Sequence, residues 1–155
     1  MSRIDGFDDA ADEFGEFAEN LREAAAGVDA AVDGGVKKTS EQVEGTAKEY
    51  AAVESGTLRS SISHRRIDVA EYVVGSPVEY APDVEFGTQP HVITPNDGEF
   101  LYFEGEDGHL IRKRSVNHPG TPAQPYLRPA LREHQSDLGK NIAEAIDDLL
   151  HRTFG

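Results

Sequence analysis

The side chains with the most chemical potential in this chain are its six histidines and 29 carboxylates. His91, His109 and His118, with Asp97 or Glu99, supply nitrogen and oxygen donors of the kind that hold a divalent cation. No His-Glu-x-x-His is present, and no ligand pair has a spacing that forces convergence, so the residues read as loop histidines. Ser55 and Ser60 lack a Gly-x-Ser-x-Gly elbow. Gly56-Thr57 and Gly87-Thr88 are too short to cradle a phosphate. Asp83 and Glu85 carry no second group that would make them a catalytic pair. Glu85, between Val84 and Phe86, instead reads as a partly buried carboxylate that needs a cation, with Arg59 and Arg128 as the candidates. No catalytic residue, cofactor or metal is expected.

The elements that would position these groups follow from periodicity. Phe14, Phe17, Leu21, Ala24 or Ala25, Val28, Val32, Val36, Val43, Ala47, Tyr50 and Val53 recur at helical intervals, with Thr39 filling the one long gap. This predicts a helical region over 8–53, started by Asp8 or Asp9. Gly34-Gly35 would either divide it in two or leave one helix with a soft centre. Leu58–Ile62 reads as extended, and Ile67–Val74 reads as one strand covered on both faces. Pro82 and Gly87 bracket a short helix over 81–86. Asn96-Asp97-Gly98 predicts a turn joining His91–Pro95 to Phe100–Glu104, and Glu106-Asp107-Gly108 a second turn leading to His109–Val116. The expected order is a sheet over 58–117, a proline-rich loop over 118–125 and a C-terminal helix over 126–151. The chain is thus a single α+β domain, residues 1–155, with its C-terminal helix packed on a small, mainly antiparallel sheet.

Composition narrows the partners. Asp and Glu number 29 against 15 Lys and Arg, for a formal charge of -14. Arginine outnumbers lysine two to one. Such a surface suits molar salt, where self-repulsion is screened, or else a basic partner. Groove binding to nucleic acid needs concentrated positive charge, and basic clusters such as Arg65-Arg66 and Arg112-Lys113-Arg114 are few and short. Cysteine is absent, so no disulfide staples the fold. The apolar runs are too short to span a bilayer and the first residues are unlike a signal peptide, which predicts a soluble protein made inside a cell, with no membrane partner.

Three segments have the makeup of structural corners, where glycine and proline shape the backbone beside aromatic groups. They are Ser55-Gly56-Thr57-Leu58-Arg59-Ser60-Ser61-Ile62, Tyr80-Ala81-Pro82-Asp83-Val84-Glu85-Phe86-Gly87-Thr88, and His118-Pro119-Gly120 through Pro125-Tyr126-Leu127-Arg128-Pro129-Ala130-Leu131. In order and spacing they resemble the HK97 gene-product-10-like family of tail-component or tail-completion proteins of tailed viruses, over about residues 14–150. The chain departs from that pattern at Ala52-Val53-Glu54, where the family commonly has a proline, and in Pro82 and its acidity. The acidity would suit a virus of a salt-loving host, an archaeon by expectation.

The resemblance implies a structural virion protein of the neck or tail, assembled in the host cytoplasm. It would form a homo-oligomeric ring, hexameric by expectation, around a channel through which genomic DNA passes without sequence-specific binding. Its partners would be an adaptor or connector protein and the tail-tube or tail-terminator protein. The same resemblance makes Gly56, Leu58, Arg59, Tyr80, Val84, Glu85, Phe86, Gly87, Thr88, His118, Pro119, Gly120, Pro125, Tyr126, Leu127, Arg128 and Pro129 structural or interface residues. The proline-rich loop and Thr88–Pro95 are the segments expected to reach a neighbour. A portal-adaptor component and a small acidic protein-binding module are the competing readings.

Overall fold

The computed structural model describes residues 2–51 and 56–155, with side chains from residue 8 onward. Helix α1 (Ser2–Tyr50) runs unbroken through Gly34-Gly35, so the glycine pair neither divides nor caps it. It also begins upstream of Asp8 and Asp9, which lie inside it as ordinary exposed positions. The expected end at Val53 lies outside the described residues.

After α1 come α2 (Gly56–Ser61), strands β1 (Ser63–Asp68) and β2 (Glu71–Gly75), and α3 (Ala81–Phe86). Strands β3 (His91–Ile93), β4 (Leu101–Glu104), β5 (Leu110–Lys113) and β6 (Val116–His118) follow, then helices α4 (Leu127–His134) and α5 (Asp137–Phe154). Three antiparallel pairs form, β1 with β2, β3 with β6 and β4 with β5. The architecture is α+β as expected, with a long N-terminal helix, small antiparallel pairs, a short central helix and C-terminal helices beside β2.

Several local expectations are corrected. Leu58 to Ser61 lie in helix α2, with Ile62 just past its end, so the segment is not extended. Leu58 and Ile62, both fully buried, stand four apart, a spacing that puts two residues on one side of a helical turn and of a strand alike. Ile67–Val74 is a hairpin rather than one strand, because the chain reverses at Ala70 in the left-handed region, φ 55°. Only one face of it is covered: Tyr72 and Val74 are half-buried, while Ile67, Val69 and Val73 are exposed. The turn at Asn96-Asp97-Gly98 does not pair its flanks. His91–Ile93 pairs instead with Val116–His118, outside the inner β4–β5 pair, which is closed by the Glu106-Asp107-Gly108 turn as expected. The single C-terminal helix is two, divided at Gln135-Ser136. There His134 Nδ1 donates to Asp137 and its Nε2 pairs with Thr46 Oγ1 of α1 at 2.7 Å.

The core is small and sits where α1, α2, α3 and α4 converge. Val43, Ala47, Ala51, Leu58, Ile62, Ala81, Tyr126 and Ala130 are buried in it, with Val74, Val78, Val84 and Leu127 around them. Asp33 fastens the β1–β2 turn to α1, its carboxylate accepting the Ala70 N–H at 2.8 Å, Arg66 Nε at 2.9 Å and the Tyr72 hydroxyl at 3.2 Å. The Ala70 N–H and the Arg66 guanidinium hold that carboxyl below its usual pKa, against its partial desolvation.

The antiparallel α1–α5 contact explains the glycines. A Cβ on Gly35 would lie 2.7 Å from Ile142 Cα, so the backbones meet there with no room for a side chain. A Cβ on Gly34 would meet nothing. Beside the crossing, the buried Asn141 amide donates to Thr39 Oγ1 at 2.9 Å and Gln42 Oε1 at 2.8 Å, which fixes the register. Gly34→Ala is therefore expected to stabilise the protein by up to about 1 kcal/mol through helix propensity. Gly35→Ala should destabilise it by about 1–3 kcal/mol through overpacking. Urea unfolding of the two variants checks the opposite signs.

Candidate functional site

The two later family-like segments meet at Glu85. Its carboxylate, 3% exposed, sits on α3 and points at the start of α4. Oε2 accepts the backbone N–H of Tyr126 at 2.7 Å and of Leu127 at 2.9 Å, and Oε1 accepts the N–H of Arg128 at 3.1 Å. The next residue, Pro129, has no N–H to satisfy. Every exposed donor of the first turn of α4 is thus accounted for by one side chain from another helix. The negative charge also lies at the positive end of the helix.

Arg128 completes the arrangement. Its Nε donates to Glu85 Oε1 at 2.9 Å and its Nη2 to the Glu85 carbonyl at 3.0 Å. Its guanidinium lies 4.7 Å from the centre of the Phe86 ring. Of the two candidate partners for Glu85, Arg128 is the one in place. Arg59 Nε instead donates to the Lys48 carbonyl near the end of α1. Burial alone would raise the Glu85 pKa, but the hydrogen bonds from Leu127, Tyr126 and Arg128 outweigh it and hold the group ionised below its ordinary value. Both oxygens are occupied, so the carboxylate is placed to hold structure and not to exchange protons with a substrate.

A second lock follows at once. Gly87 ends α3 with φ 72°, and a Cβ there would fall 2.6 Å from the Thr121 carbonyl oxygen and 2.7 Å from Ala123 N. Gly120, φ 85°, would place a Cβ 2.4 Å from the Thr88 carbonyl oxygen. With both side chains absent, Thr88 and Thr121 exchange backbone hydrogen bonds at 2.9 and 3.1 Å, and Gln124 N–H reaches the Val84 carbonyl at 2.8 Å. The proline-rich loop is therefore stitched to the end of α3.

His118 lies at the end of this loop. Its ring stacks on His91, centroids 5.0 Å apart, and its Nδ1 accepts the Gly120 N–H at 3.1 Å. Tyr80, Val84, His91 and His118 share a cavity of about 330 Å³ beside α3. Pro119 lines the neighbouring groove with Gly87 and Thr88.

The first family-like segment meets the site in the core, where Leu58 and Tyr126 belong to one buried cluster. Residues 52–55, including Ser55 and the departure at Ala52–Glu54, lie outside the described residues. The remaining histidines are scattered, His64 against Glu44 and His134 against Asp137. Among the described residues no group of three or more histidines and carboxylates is placed to hold a metal ion. No described helix is long and apolar enough to cross a membrane.

Sequence reasoning missed Asp33, for which nothing in the chain signals a partner near residue 70. It also missed Asn141, whose signal is a polar residue inside the apolar stripe Leu138, Ile142, Ala145.

Two predictions follow from the lock. Glu85→Gln should lower stability at pH 7 by about 2–3 kcal/mol, as loss of charge-assisted bonds to buried donors does. Because the folded pKa is depressed, this contribution is complete above the ordinary carboxylate value of 4.5 and lost as pH falls through the lower folded value. Urea midpoints for wild type and variant should converge as pH falls below the ordinary carboxylate value. The Tyr126 hydroxyl, buried with no partner among the described residues, is the opposite case. Tyr126→Phe should leave unfolding free energy unchanged or raise it by up to about 1 kcal/mol, checked by the same melts.

Comparison with known proteins gives one positive result. No curated protein and no solved structure matches this chain. Residues 15–87, just under half of the chain, match the family described as "Bacteriophage HK97-gp10, putative tail-component". The matched stretch runs from α1 to Gly87 and takes in Glu85, while α4, α5 and strands β3–β6 follow it. Over residues 15–87 the chain is homologous to that family.

Proposed function

We propose that this protein is a non-enzymatic structural component of the neck or tail of a tailed virus. In this reading it completes the tail and joins it to the head as a ring around the DNA channel. One observation carries the proposal. The homologous stretch ends in a motif whose chemistry is mechanical, since Glu85 and Gly87 hold backbone in place and offer no reactive group. A rigid junction of this kind suits a part that must keep its shape within an assembly.

The charge supports the reading from a second side. At -14, the chain would present DNA with a repelling surface along which it slides without sticking. The same surface suits a virus whose host keeps molar salt inside the cell, where copies of so acidic a chain can approach one another. Adaptor or connector proteins above and the tail-tube or terminator protein below are the partners this placement implies.

The mass of the purified chain in solution, in molar potassium chloride and again at low salt, tests this. A discrete ring at high salt, a hexamer by expectation, is the supporting result. A monomer at both salts that also fails to bind portal, connector or tail-tube proteins overturns it, and the charge then favours an acidic module that covers a basic partner.

A further inference from the structure

Two uncovered surfaces on this chain complement each other and belong to parts without extensive contact with one another. The first is the N-terminal third of α1. Phe14, Phe17 and Leu21 stand at i, i+3 and i+7, so they share one face. Phe14 is 76% exposed and Phe17 55%, although Phe17 also meets the Phe154 ring of α5 at 6.0 Å. Asp9, Glu13 and Glu16, at i, i+4 and i+7, run along one edge of that stripe. Residues 8–23 hold seven carboxylates and a single cation, Arg22.

The second surface is the β4–β5 hairpin. The two strands pack chiefly on each other, without extensive contact to any helix. Their register places Tyr102 opposite Arg112 and Glu104 opposite Leu110, all on one face. Tyr102 is 61% exposed and Leu110 74%. Arg112 and Arg114 both lie over the Phe100 ring, at 4.7 and 5.6 Å. Residues 109–118 contain three cations and no carboxylate, the reverse of the chain as a whole.

We infer that the hairpin of one copy docks on the N-terminal third of α1 of a second copy. Tyr102 and Leu110 would lie against Phe14, Phe17 and Leu21, and Arg112 and Arg114 against the Asp9–Glu13–Glu16 edge. Aromatic and arginine side chains are the groups most enriched where proteins meet. Opposite charges around an apolar centre fix orientation and exclude the wrong pairing of two acidic helices. The partner is a second copy and not nucleic acid, because the cations flank uncovered Leu110 and Tyr102 on a chain of net charge -14. The contact joins different patches on the two copies, so it is heterologous and repeats from copy to copy until the rotation closes.

This inference rests on the ring reading and specifies its interface, and the test separates the two. The chain has no cysteine, so engineered thiols report on a clean background. Full-length Phe17→Cys and Tyr102→Cys proteins are mixed and oxidised at the lowest salt at which the wild-type chain assembles. A mixed disulfide should form at least tenfold faster than between Tyr102→Cys and Glu71→Cys, a control on an exposed position of β2. In the same buffer, Arg112→Glu with Arg114→Glu should weaken self-association at least tenfold, and a Glu13→Arg, Glu16→Arg partner should restore it. All four charged residues are exposed, so unchanged circular dichroism separates lost contact from lost fold.

An oligomer that forms with no preferential disulfide and no effect of charge reversal overturns this contact and leaves the ring standing. A wild-type chain that stays monomeric at every salt overturns this contact, and the ring reading falls with it if the chain also fails to bind portal, connector and tail-tube proteins. Reversal variants that assemble normally but lose retention on duplex DNA assign the cations to nucleic acid and overturn the contact.

Discussion

One buried carboxylate holds the centre of this protein together. Glu85 sits on a six-residue helix too short to be stable alone, yet it supplies the hydrogen-bond acceptors that begin α4 forty residues later. Without it, three N–H groups at the start of α4, that of the buried Tyr126 among them, would lose their acceptor, and the helix that carries Tyr126 and Ala130 into the core would start without a cap. The charge is tolerable there because four hydrogen bonds converge on the carboxylate, two of them from Arg128, whose guanidinium also reaches the Glu85 carbonyl. Gly87 and Gly120 then let the following backbone segments approach closely enough to pair.

The rest of the molecule is arranged around that centre with little apolar surface to spare. The core is a handful of alanines with Val43, Leu58, Ile62 and Tyr126. Close approach at Gly35 and polar contacts through Asn141 and Asp33 secure what burial alone does not. Many of the large apolar side chains remain outside, on the start of α1 and on the β4–β5 hairpin. A chain that buries so little of its aromatic content within itself has surface available for contact with others.

The order of elements was legible in the sequence because it depends on local rules. The stripe from Phe14 to Tyr50 has helical spacing, Pro82 and Gly87 bracket α3, and Glu106-Asp107-Gly108 closes β4 on β5. The need of Glu85 for a cation was readable too, since a carboxylate among apolar neighbours demands one. Leu58 and Ile62 were misread because a spacing of four fits both periods. Asn96-Asp97-Gly98 was misread because turn chemistry reports where a chain bends and not which strands pair afterwards.

What this sequence determined by itself is a set of local preferences: helix periodicity, turn positions, net charge and the absence of any converging ligand spacing. Only the tertiary structure decided between Arg59 and Arg128 for Glu85, and turned Gly34-Gly35 from an apparent soft point into a contact in which one glycine is required and the other is free. The physical reason is the same in each case. Hydrogen bonds and close packing act between atoms a few ångströms apart, and residues that far apart in space are separated here by 41 to 107 positions in the chain. Propensity and periodicity act over a few residues and carry no information about such pairs.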